Sequence, residues 1–142
     1  MRVLVCGGRK YSDWKRVCAV LDELHKQHGI EMVIHGDAAG ADYHADQWAK
    51  NRSVKPVPYP AKWNDLSFPD ANIRRGKGGK LYDTRAGSRR NQEMLDKERI
   101  DLVVAFPGGN GTADMVRKSR TAGIEVLIVH DDLLSVSQGE AK

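Results

Sequence analysis

The sequence has few aromatic residues, two cysteines and no long hydrophobic run. Phe, Trp and Tyr make up 6% of its 142 residues, so stacking platforms for nucleic-acid bases are scarce. No stretch approaches the roughly 18 apolar residues of a membrane span, and Met1 leads into a short apolar run without a signal-peptide pattern. Cys6 and Cys18 lack metal-ligand spacing and a secretory context, which favours free thiols. We therefore expect a cytoplasmic protein.

The composition is that of one folded domain with an uneven charge. With 40% hydrophobic and 30% charged residues, the chain is long enough for one packed core and too short for two ordinary domains. Residues 61–90 contain eight basic and three acidic residues, a net charge of +5, whereas the rest sums to −1. This segment favours an anionic partner, either nucleotide phosphate or nucleic acid.

Short β-rich apolar runs alternate along the chain with segments of helical periodicity. The first helix begins near Trp14, with Ser12 or Asp13 as its cap, and ends before Gly29. Trp14 and Trp48 are expected in the core because they have apolar neighbours at helical spacing. The other predicted elements are strands 2–6, 31–35, 54–59, 101–106 and 125–129 and helices 43–51, 86–97 and 113–122.

This alternation predicts an α/β fold: a single Rossmann-like doubly wound domain with a mainly parallel five-stranded sheet. The domain spans residues 1–130, interrupted by a basic loop excursion at 60–84, and a polar C-terminal tail follows at 131–142. In the strand order 3-2-1-4-5, the first and fourth strands are neighbours at the topological switch point. That order brings GGR, residues 7–9, beside PGGNGT, residues 107–112.

The glycines of these two turns predict a phosphate site. A helix start presents unpaired N–H groups to an anion, and glycines let the anion come close. A tight strand-to-helix connection alone would also use glycine, but two such turns side by side favour phosphate binding. The spacing is neither that of a Walker P-loop nor GxGxxG, which counts against ATP hydrolysis and NAD-dependent redox chemistry.

Several side chains near these turns are candidates for ligand contacts or catalysis. Asp37 and Asp42 follow the second strand, and a carboxylate there would stabilise the positive sugar formed during N-glycosidic cleavage. Turn formation and helix capping explain the two acids equally well. Arg9 is a candidate phosphate ligand, and Trp63 is a candidate base-stacking residue with packing as the alternative.

Five motifs occur in order along the chain: GGRKYSD at 7–13, HGDAAGAD at 35–42, YPAKW at 59–63, AGSRRNQEM at 86–94 and FPGGNGTADM at 106–115. Together they resemble the SLOG superfamily, close to its YspA (YpsA-related) branch. More distant similarity extends to the Lonely-guy phosphoribohydrolases and to DNA-processing protein A. The resemblance implies a Rossmann-like fold, a nucleotide or nucleotide-derived ligand and, as often in the Lonely-guy branch, a homodimer.

The chain departs from the Lonely-guy pattern at one position. That pattern continues PGGxGTxxE, and Met115 stands where the catalytic glutamate is expected. Asp114 points about 100° away around a helix and is not an automatic substitute. The arginine of that branch matches Arg90 best and Arg89 second. The resemblance therefore implies a phosphate cradle but not the glutamate mechanism.

The sequence predicts both a function and a set of site residues. The chain is predicted to bind a nucleotide or nucleotide-derived ligand as a SLOG-type sensor or nucleotide-processing protein, with no cofactor, metal or membrane partner. The alternatives are an N-glycosidic hydrolase or transferase, and single-stranded nucleic-acid binding through the basic segment; enzymatic activity stays open. The candidate catalytic residues are Asp37, Asp42 and Asp114. The candidate ligand-binding residues are Gly7, Gly8, Arg9, Gly36, Arg90, Asn91, Pro107, Gly108, Gly109, Asn110, Gly111 and Thr112.

Overall fold

The structure, a computed structural model, describes residues 1–130. The predicted polar tail at 131–142 lies outside the described residues. The strands are β1 (Arg2–Cys6), β2 (Met32–His35), β3 (Lys55–Pro58), β4 (Ile73–Arg75), β5 (Leu81–Asp83), β6 (Leu102–Ala105) and β7 (Val126–Ile128). The α-helices are α1 (Trp14–His28), α2 (Ala41–Asn51), α3 (Ala86–Lys97) and α4 (Asn110–Thr121).

Five strands form a parallel sheet in the order β3-β2-β1-β6-β7. The α/β fold and the predicted order are therefore confirmed. Strand β1 lies at the centre, where Val3, Leu4 and Val5 are fully buried. Pro56 and Pro58 lie in β3 at one edge of the sheet, where a missing N–H donor is tolerated.

Alternate residues of the central strands face two different helix layers, because successive side chains of a strand point to opposite faces. Val3 and Val5 pack with residues of α1 and α2, including Trp48. Leu4 and Cys6 pack with Met94 of α3 and Met115 of α4. Both faces of the sheet are thus covered, as a doubly wound parallel sheet requires.

Local signals define both ends of α1. The side chain of Asp13 accepts a hydrogen bond from the N–H of Arg16 at 3.0 Å, so Asp13 is the cap. Gly29 ends the helix at φ 71°, a left-handed conformation that favours glycine. The prediction for Trp14 was wrong, because its side chain is 53% exposed. At the first helical position it lies beyond the end of the buried stripe, which begins at Val17.

Residues 60–84 are not the featureless loop that their composition predicts. Strands β4 and β5 pair as an antiparallel hairpin, and a short 3₁₀ turn at Lys77–Gly79 connects them. The hairpin is too short to show a two-residue periodicity in sequence.

Among residues 1–130, none of the helices combines the length and the apolar character that a membrane span needs.

The buried carboxylate of Asp83 anchors the base of this hairpin. One oxygen accepts the N–H groups of Asn72 and Arg85, each at 3.0 Å, and the other accepts from Arg89 at 3.0 Å. The hydrogen bond from the Arg85 N–H is the largest of the effects that lower the pKa of Asp83, and burial opposes it. The hairpin is therefore attached to the start of α3.

Candidate functional site

A cleft of about 1040 Å³ lies beyond the carboxyl ends of β1 and β6. The two turns meet there, since the N–H of Gly8 donates to the carbonyl of Pro107 at 2.9 Å. All twelve candidate ligand-binding residues line this cleft. The adjacency expected from the strand order is thus present, and residues more than 100 positions apart share one wall.

The first turn of α4 leaves backbone donors open toward the cleft. The helix begins at Asn110, three residues earlier than predicted, so Gly111 and Thr112 belong to the helix. Its first helical bond runs from the N–H of Ala113 to the carbonyl of Gly109 at 3.0 Å. The preceding N–H groups have no partner within the helix, and no side chain caps this end.

The other helices differ in how their starts are satisfied. Asp13 caps α1, and the carbonyl of Gly8 accepts the first N–H of α2, from Ala41, at 3.2 Å. Helix α3 also lacks a side-chain cap, and its residues Gly87 and Ser88 line the cleft. Two uncapped helix starts therefore face the same space, which favours an anion between them.

The glycines of the cleft fall into two kinds. A Cβ on Gly7 would lie 2.5 Å from the Cβ of Ala41, and one on Gly108 would lie 2.7 Å from the N of Gly8. Packing of the chain itself therefore requires these two glycines. A Cβ on Gly109 or Gly111 would meet nothing within 4 Å. No protein atom explains why those two positions lack side chains.

Arg90 extends from α3 into the cleft, whereas Arg89 does not. The guanidinium of Arg90 donates to the carbonyls of Gly36 and Tyr59, and its Nε donates to Asn91 at 3.0 Å. Burial is the main cause that lowers the pKa of Arg90. Arg89 instead donates to Asp83 and Asp70 and lies 3.8 Å from the ring of Phe68. Of the two candidate arginines, only Arg90 lines the cleft.

Asn91 connects α3 to the first turn of α4. Its side chain is buried and donates to the carbonyl of Gly111 at 3.3 Å and to Asp114 at 3.1 Å. Gly36, directly below Arg90, has no room for a side chain, since a Cβ would lie 2.4 Å from the guanidinium. These contacts hold the open helix start and the arginine in fixed positions.

Trp63, from the excursion at 60–84, forms one wall of the cleft. The guanidinium of Arg9 lies 5.0 Å from the centre of its ring, and Tyr82 approaches the ring edge-on at 6.3 Å. A Cβ on Gly87 would lie 3.0 Å from the ring. Trp63 thus joins the β1–α1 turn, the excursion and α3 around the mouth of the cleft.

Asp42 lies on the floor of the cleft and is almost fully buried. One of its oxygens accepts the N–H groups of Gly36 at 3.1 Å and Ala38 at 3.3 Å. Burial raises the pKa of Asp42, although the hydrogen bonds from the two amides oppose the shift. The carboxyl therefore keeps its proton to a higher pH than an exposed aspartate, which suits a group that exchanges protons with a ligand.

His35 is engaged inside the protein rather than facing the cleft. Its Nδ1 accepts the N–H of Asp37 at 3.0 Å, so Nε2 carries the proton and donates to Asp46 at 2.8 Å. Asp37 itself is exposed, lies outside the cleft lining and has φ 58°. The structure therefore brings Asp42, but not Asp37, to the ligand space.

The Lonely-guy pattern implies that the residue at position 115 faces the ligand, but in this structure the residue before it does. Asp114 lines the cleft, whereas Met115 is 1% exposed and packs in the core between α4 and the sheet. Lys118 contacts both oxygens of Asp114, at 2.9 and 2.7 Å. Burial alone would raise the pKa of Asp114, but hydrogen bonds from Lys118 and Asn91 outweigh it and lower the pKa.

Sequence reasoning missed several residues of the cleft. Gly87 and Ser88 lie within the motif AGSRRNQEM, so a signal was present and was assigned only to Arg90 and Asn91. Lys118 donates to Ser88 Oγ at 2.5 Å, and no sequence spacing indicates that contact. Within residues 1–130, no three His, Cys, Asp or Glu side chains come together as a metal site requires. Both cysteines are free.

Comparisons with known proteins found one family model and one relative of similar length. The model of the YspA, cpYpsA-related SLOG family matches residues 1–65. Gene 61 protein of Mycobacterium phage D29 is 34% identical over 134 residues, which cover 89% of this chain and 94% of that protein.

Two solved structures share the fold. DNA processing protein A (DprA) from Streptococcus pneumoniae aligns with a TM-score of 0.68 at 20% identity, over 97% of this chain. The chain spans 53% of that protein. TM1055 aligns with a TM-score of 0.58 at 21% identity, over 89% of this chain and 72% of TM1055. At these identities the likeness concerns the fold.

Proposed function

Since the chain belongs to the YspA, cpYpsA-related SLOG family, we propose that it binds a nucleotide or nucleotide-derived ligand in the cleft. The ligand's phosphate lies on the first turn of α4, between Gly8 and Thr112. Its sugar lies over Asp42 and Arg90, and its base lies against Trp63. Membership of the SLOG family supports the proposed class of ligand, and the residue assignments rest on the geometry of the cleft.

One observation carries the proposal. Gly109 and Gly111 open an uncapped helix start toward the cleft, and no packing contact of the protein requires either glycine. Glycine is an ordinary residue at the N-cap position of Gly109, but Gly111 lies within the helix, where a glycine costs roughly 0.5 to 1 kcal/mol relative to alanine. A cost without a packing benefit is explained if a ligand approaches the backbone there, as phosphate does at helix starts.

Titration calorimetry of the purified protein with 5′-AMP, ADP-ribose, NAD and adenosine tests the proposal. We expect the phosphate-bearing compounds to bind at least about tenfold more tightly than adenosine, because charge-assisted hydrogen bonds contribute roughly 1.5 to 3 kcal/mol. Equal affinities for 5′-AMP and adenosine would contradict the phosphate assignment. No binding of any member of the panel would contradict the proposed ligand class.

A matched pair of substitutions locates the phosphate. Gly111→Leu places a side chain over the open helix start and should weaken 5′-AMP binding by tenfold or more without unfolding the protein. Thr121→Leu changes an exposed residue at the far end of the same helix and should leave binding unchanged. If both variants bind 5′-AMP as the parent does, the phosphate does not lie on α4.

Trp63→Leu tests the position of the base. Stacking of a base on an aromatic ring contributes about 1 to 3 kcal/mol, so the variant should bind 5′-AMP about 5 to 150 times more weakly. The control is Trp14→Phe, which alters an exposed ring on α1. Unchanged affinity in Trp63→Leu would leave Trp63 as a packing residue only.

Asp42 supports a second candidate, cleavage of the ligand's N-glycosidic bond. The raised pKa of this buried carboxyl suits a general acid. In that reaction the bond between base and sugar breaks, and its electron pair goes to the base nitrogen, which takes the proton of Asp42. A water oxygen then bonds to the anomeric carbon, and its proton returns to the carboxylate.

Release of free base, followed by liquid chromatography and mass spectrometry, separates binding from turnover. Base well beyond the molar amount of protein supports the enzyme, and Asp42→Asn should then abolish release while 5′-AMP still binds. Asp37→Asn and Asp114→Asn should have smaller effects, since Asp37 is outside the cleft and Asp114 is paired with Lys118. Absence of release from the whole panel would leave a sensor or sequestering protein.

The homodimer and the cytoplasmic location remain predictions. Light scattering coupled to size-exclusion chromatography tests the first, with a mass of twice 15.8 kDa expected for a dimer. Fractionation of cells that produce the protein tests the second.

A further inference from the structure

The hairpin formed by β4 and β5 concentrates the positive charge of the protein. Between residues 71 and 82 the sequence contains four basic residues and no acidic one. Their charge of +4 equals the net charge of the whole chain. All four side chains are exposed: Arg74, Arg75, Lys77 and Lys80.

Two neighbouring basic residues of the segment 61–90, both on α3, are arranged differently. Arg89 is paired with Asp70 and Asp83, and Arg90 donates to carbonyls inside the cleft. Within residues 1–130, none of the four hairpin cations forms an ion pair; Arg75 donates to the carbonyl of Gly79 at 2.9 Å. The hairpin charges are thus left uncompensated by the rest of the described chain.

The base of the hairpin is held firmly, so the backbone that carries the four cations is attached to the rest of the domain. Asp83 accepts the N–H of Asn72 across the strand pair, and Thr84 donates to the carbonyl of Asn72 at 3.0 Å through its hydroxyl. Tyr82 contacts Trp63 at the cleft mouth. A hairpin that is already formed loses less backbone freedom when a partner binds than an unstructured loop would.

The hairpin also has the shape of a two-stranded ribbon with an open tip. Arg74 pairs with Tyr82 and Arg75 with Leu81 across the strands. Gly78 and Gly79 at the turn have φ of 71° and 78°, and a Cβ on Gly78 would meet nothing within 4 Å. The tip backbone is therefore accessible to a partner.

We propose that this hairpin binds the phosphodiester backbone of a nucleic acid. Arg and Lys supply many of the contacts to nucleic-acid phosphates, and two-stranded ribbons of this kind fit nucleic-acid grooves. A second copy of this chain would bring four like charges to the surface, which opposes self-association there. An acidic protein is the competing partner, and the test below includes an acidic peptide for that reason. The surface is distinct from the nucleotide cleft.

The four cations set the expected salt dependence. Each neutralised phosphate contributes about −0.9 to the slope of log K against log salt for duplex DNA and about −0.7 for single strands. Four contacts therefore give slopes of roughly −3.6 and −2.8. Between 50 and 200 mM KCl the affinity should fall about 150-fold for a duplex and about 50-fold for a single strand.

Fluorescence anisotropy with a labelled 20-nucleotide strand and the corresponding 20-base-pair duplex, over that salt range, tests the proposal. The first variant replaces Arg74, Arg75, Lys77 and Lys80 with Gln. The matched control replaces four exposed basic residues elsewhere with Gln: Lys15, Lys26, Lys55 and Arg120. Both variants lose the same net charge, and circular dichroism with a thermal melt verifies their folding.

The parent should bind at least one of the two DNA probes with a slope near its expected value. The hairpin variant should lose affinity by tenfold or more and approach a slope of zero, whereas the control keeps most of both. An equal loss in the two variants would overturn the proposal, because net charge alone would then explain binding. So would absence of binding to both probes at 50 mM KCl.

A polyglutamate peptide of 20 residues distinguishes nucleic acid from an acidic protein partner. Equal affinity for this peptide and for DNA would overturn the nucleic-acid assignment. If the quadruple variant does not fold, the pair Lys77→Gln and Lys80→Gln at the tip should reduce the slope by about half. Binding of 5′-AMP is expected to be the same in the hairpin variant and the parent, so this proposal fails or survives separately from the proposed function.

Discussion

Replacing Gly108 with alanine should destabilise the protein, whereas the same replacement at Gly111 should stabilise it. A Cβ on Gly108 would lie 2.2 Å from Thr112 Oγ1, 2.7 Å from the N of Gly8 and 3.0 Å from the C of Gly7. The threonine hydroxyl can rotate away, but the Gly8 backbone cannot, because its N–H is bonded to Pro107 at 2.9 Å. The two turns must therefore separate.

The expected magnitudes follow from overpacking and from backbone entropy. Inserting a methyl group into a packed site costs about 1 to 3 kcal/mol, and for a chain of this length 1 kcal/mol shifts Tm by about 3 °C. Gly108→Ala should thus lower Tm by roughly 3 to 10 °C. Gly111→Ala meets no atom and removes a helical glycine, so Tm should rise by about 2 to 3 °C.

Calorimetric melts and urea unfolding of both variants without ligand provide the measurement. The urea m-value should be unchanged if the native fold is retained. A Gly108→Ala variant as stable as the parent would refute the argument that packing requires this glycine. Destabilisation by Gly111→Ala would show that its backbone conformation, rather than ligand access, explains the glycine.

Three further predictions concern single side chains. Burial raises the pKa of Asp42, so the folded state binds the proton of this carboxyl more tightly than the unfolded state. The stability that the protonated carboxyl contributes is therefore lost as pH rises above about 3.9. In urea unfolding, Asp42→Asn should flatten this decline with pH, and an unchanged profile would contradict the raised pKa. Met115→Glu introduces an unpaired charge into the core and should destabilise by about 3 to 5 kcal/mol without creating base release, whereas a stable variant would show that position 115 reaches the cleft. Asp83→Ala leaves the N–H groups of Asn72 and Arg85 without their carboxylate acceptor. Limited proteolysis within 64–84 should therefore be faster, while the far-ultraviolet circular dichroism stays the same. An unchanged cleavage rate would mean that Asp83 does not anchor the hairpin.

The fold was largely predictable because its signals are local. Helical periodicity, buried strands and the cap at Asp13 depend on residues a few positions apart. Helix α3 was predicted with its observed bounds, and helix α4 was predicted to start three residues late. That error arose because glycines at the start of a helix read as a loop when only propensity is considered. The β4–β5 hairpin was missed since three-residue strands carry too few side chains to display alternation.

The location of the site was predictable from the sequence, but the role of each residue in it was not. Strand order brings Gly7–Arg9 and Pro107–Thr112 together, and the topological rule for parallel sheets anticipates that. The separation of Arg90 from Arg89 depends on one step of about 100° around α3. Because of that step, Arg90 reaches the cleft, whereas Arg89 is paired with Asp70 and Asp83.

By itself the sequence determined the α/β class, the two glycine turns and the uneven charge, because periodicity, backbone freedom and composition act over short distances. Only the tertiary structure decided that Asp42 rather than Asp37 reaches the cleft, and that Asp114 faces it while Met115 is buried. It also decided that four exposed cations of the basic segment gather on one hairpin. These outcomes depend on the rotation of each helix against the sheet and on contacts between distant segments, which packing of the whole core establishes.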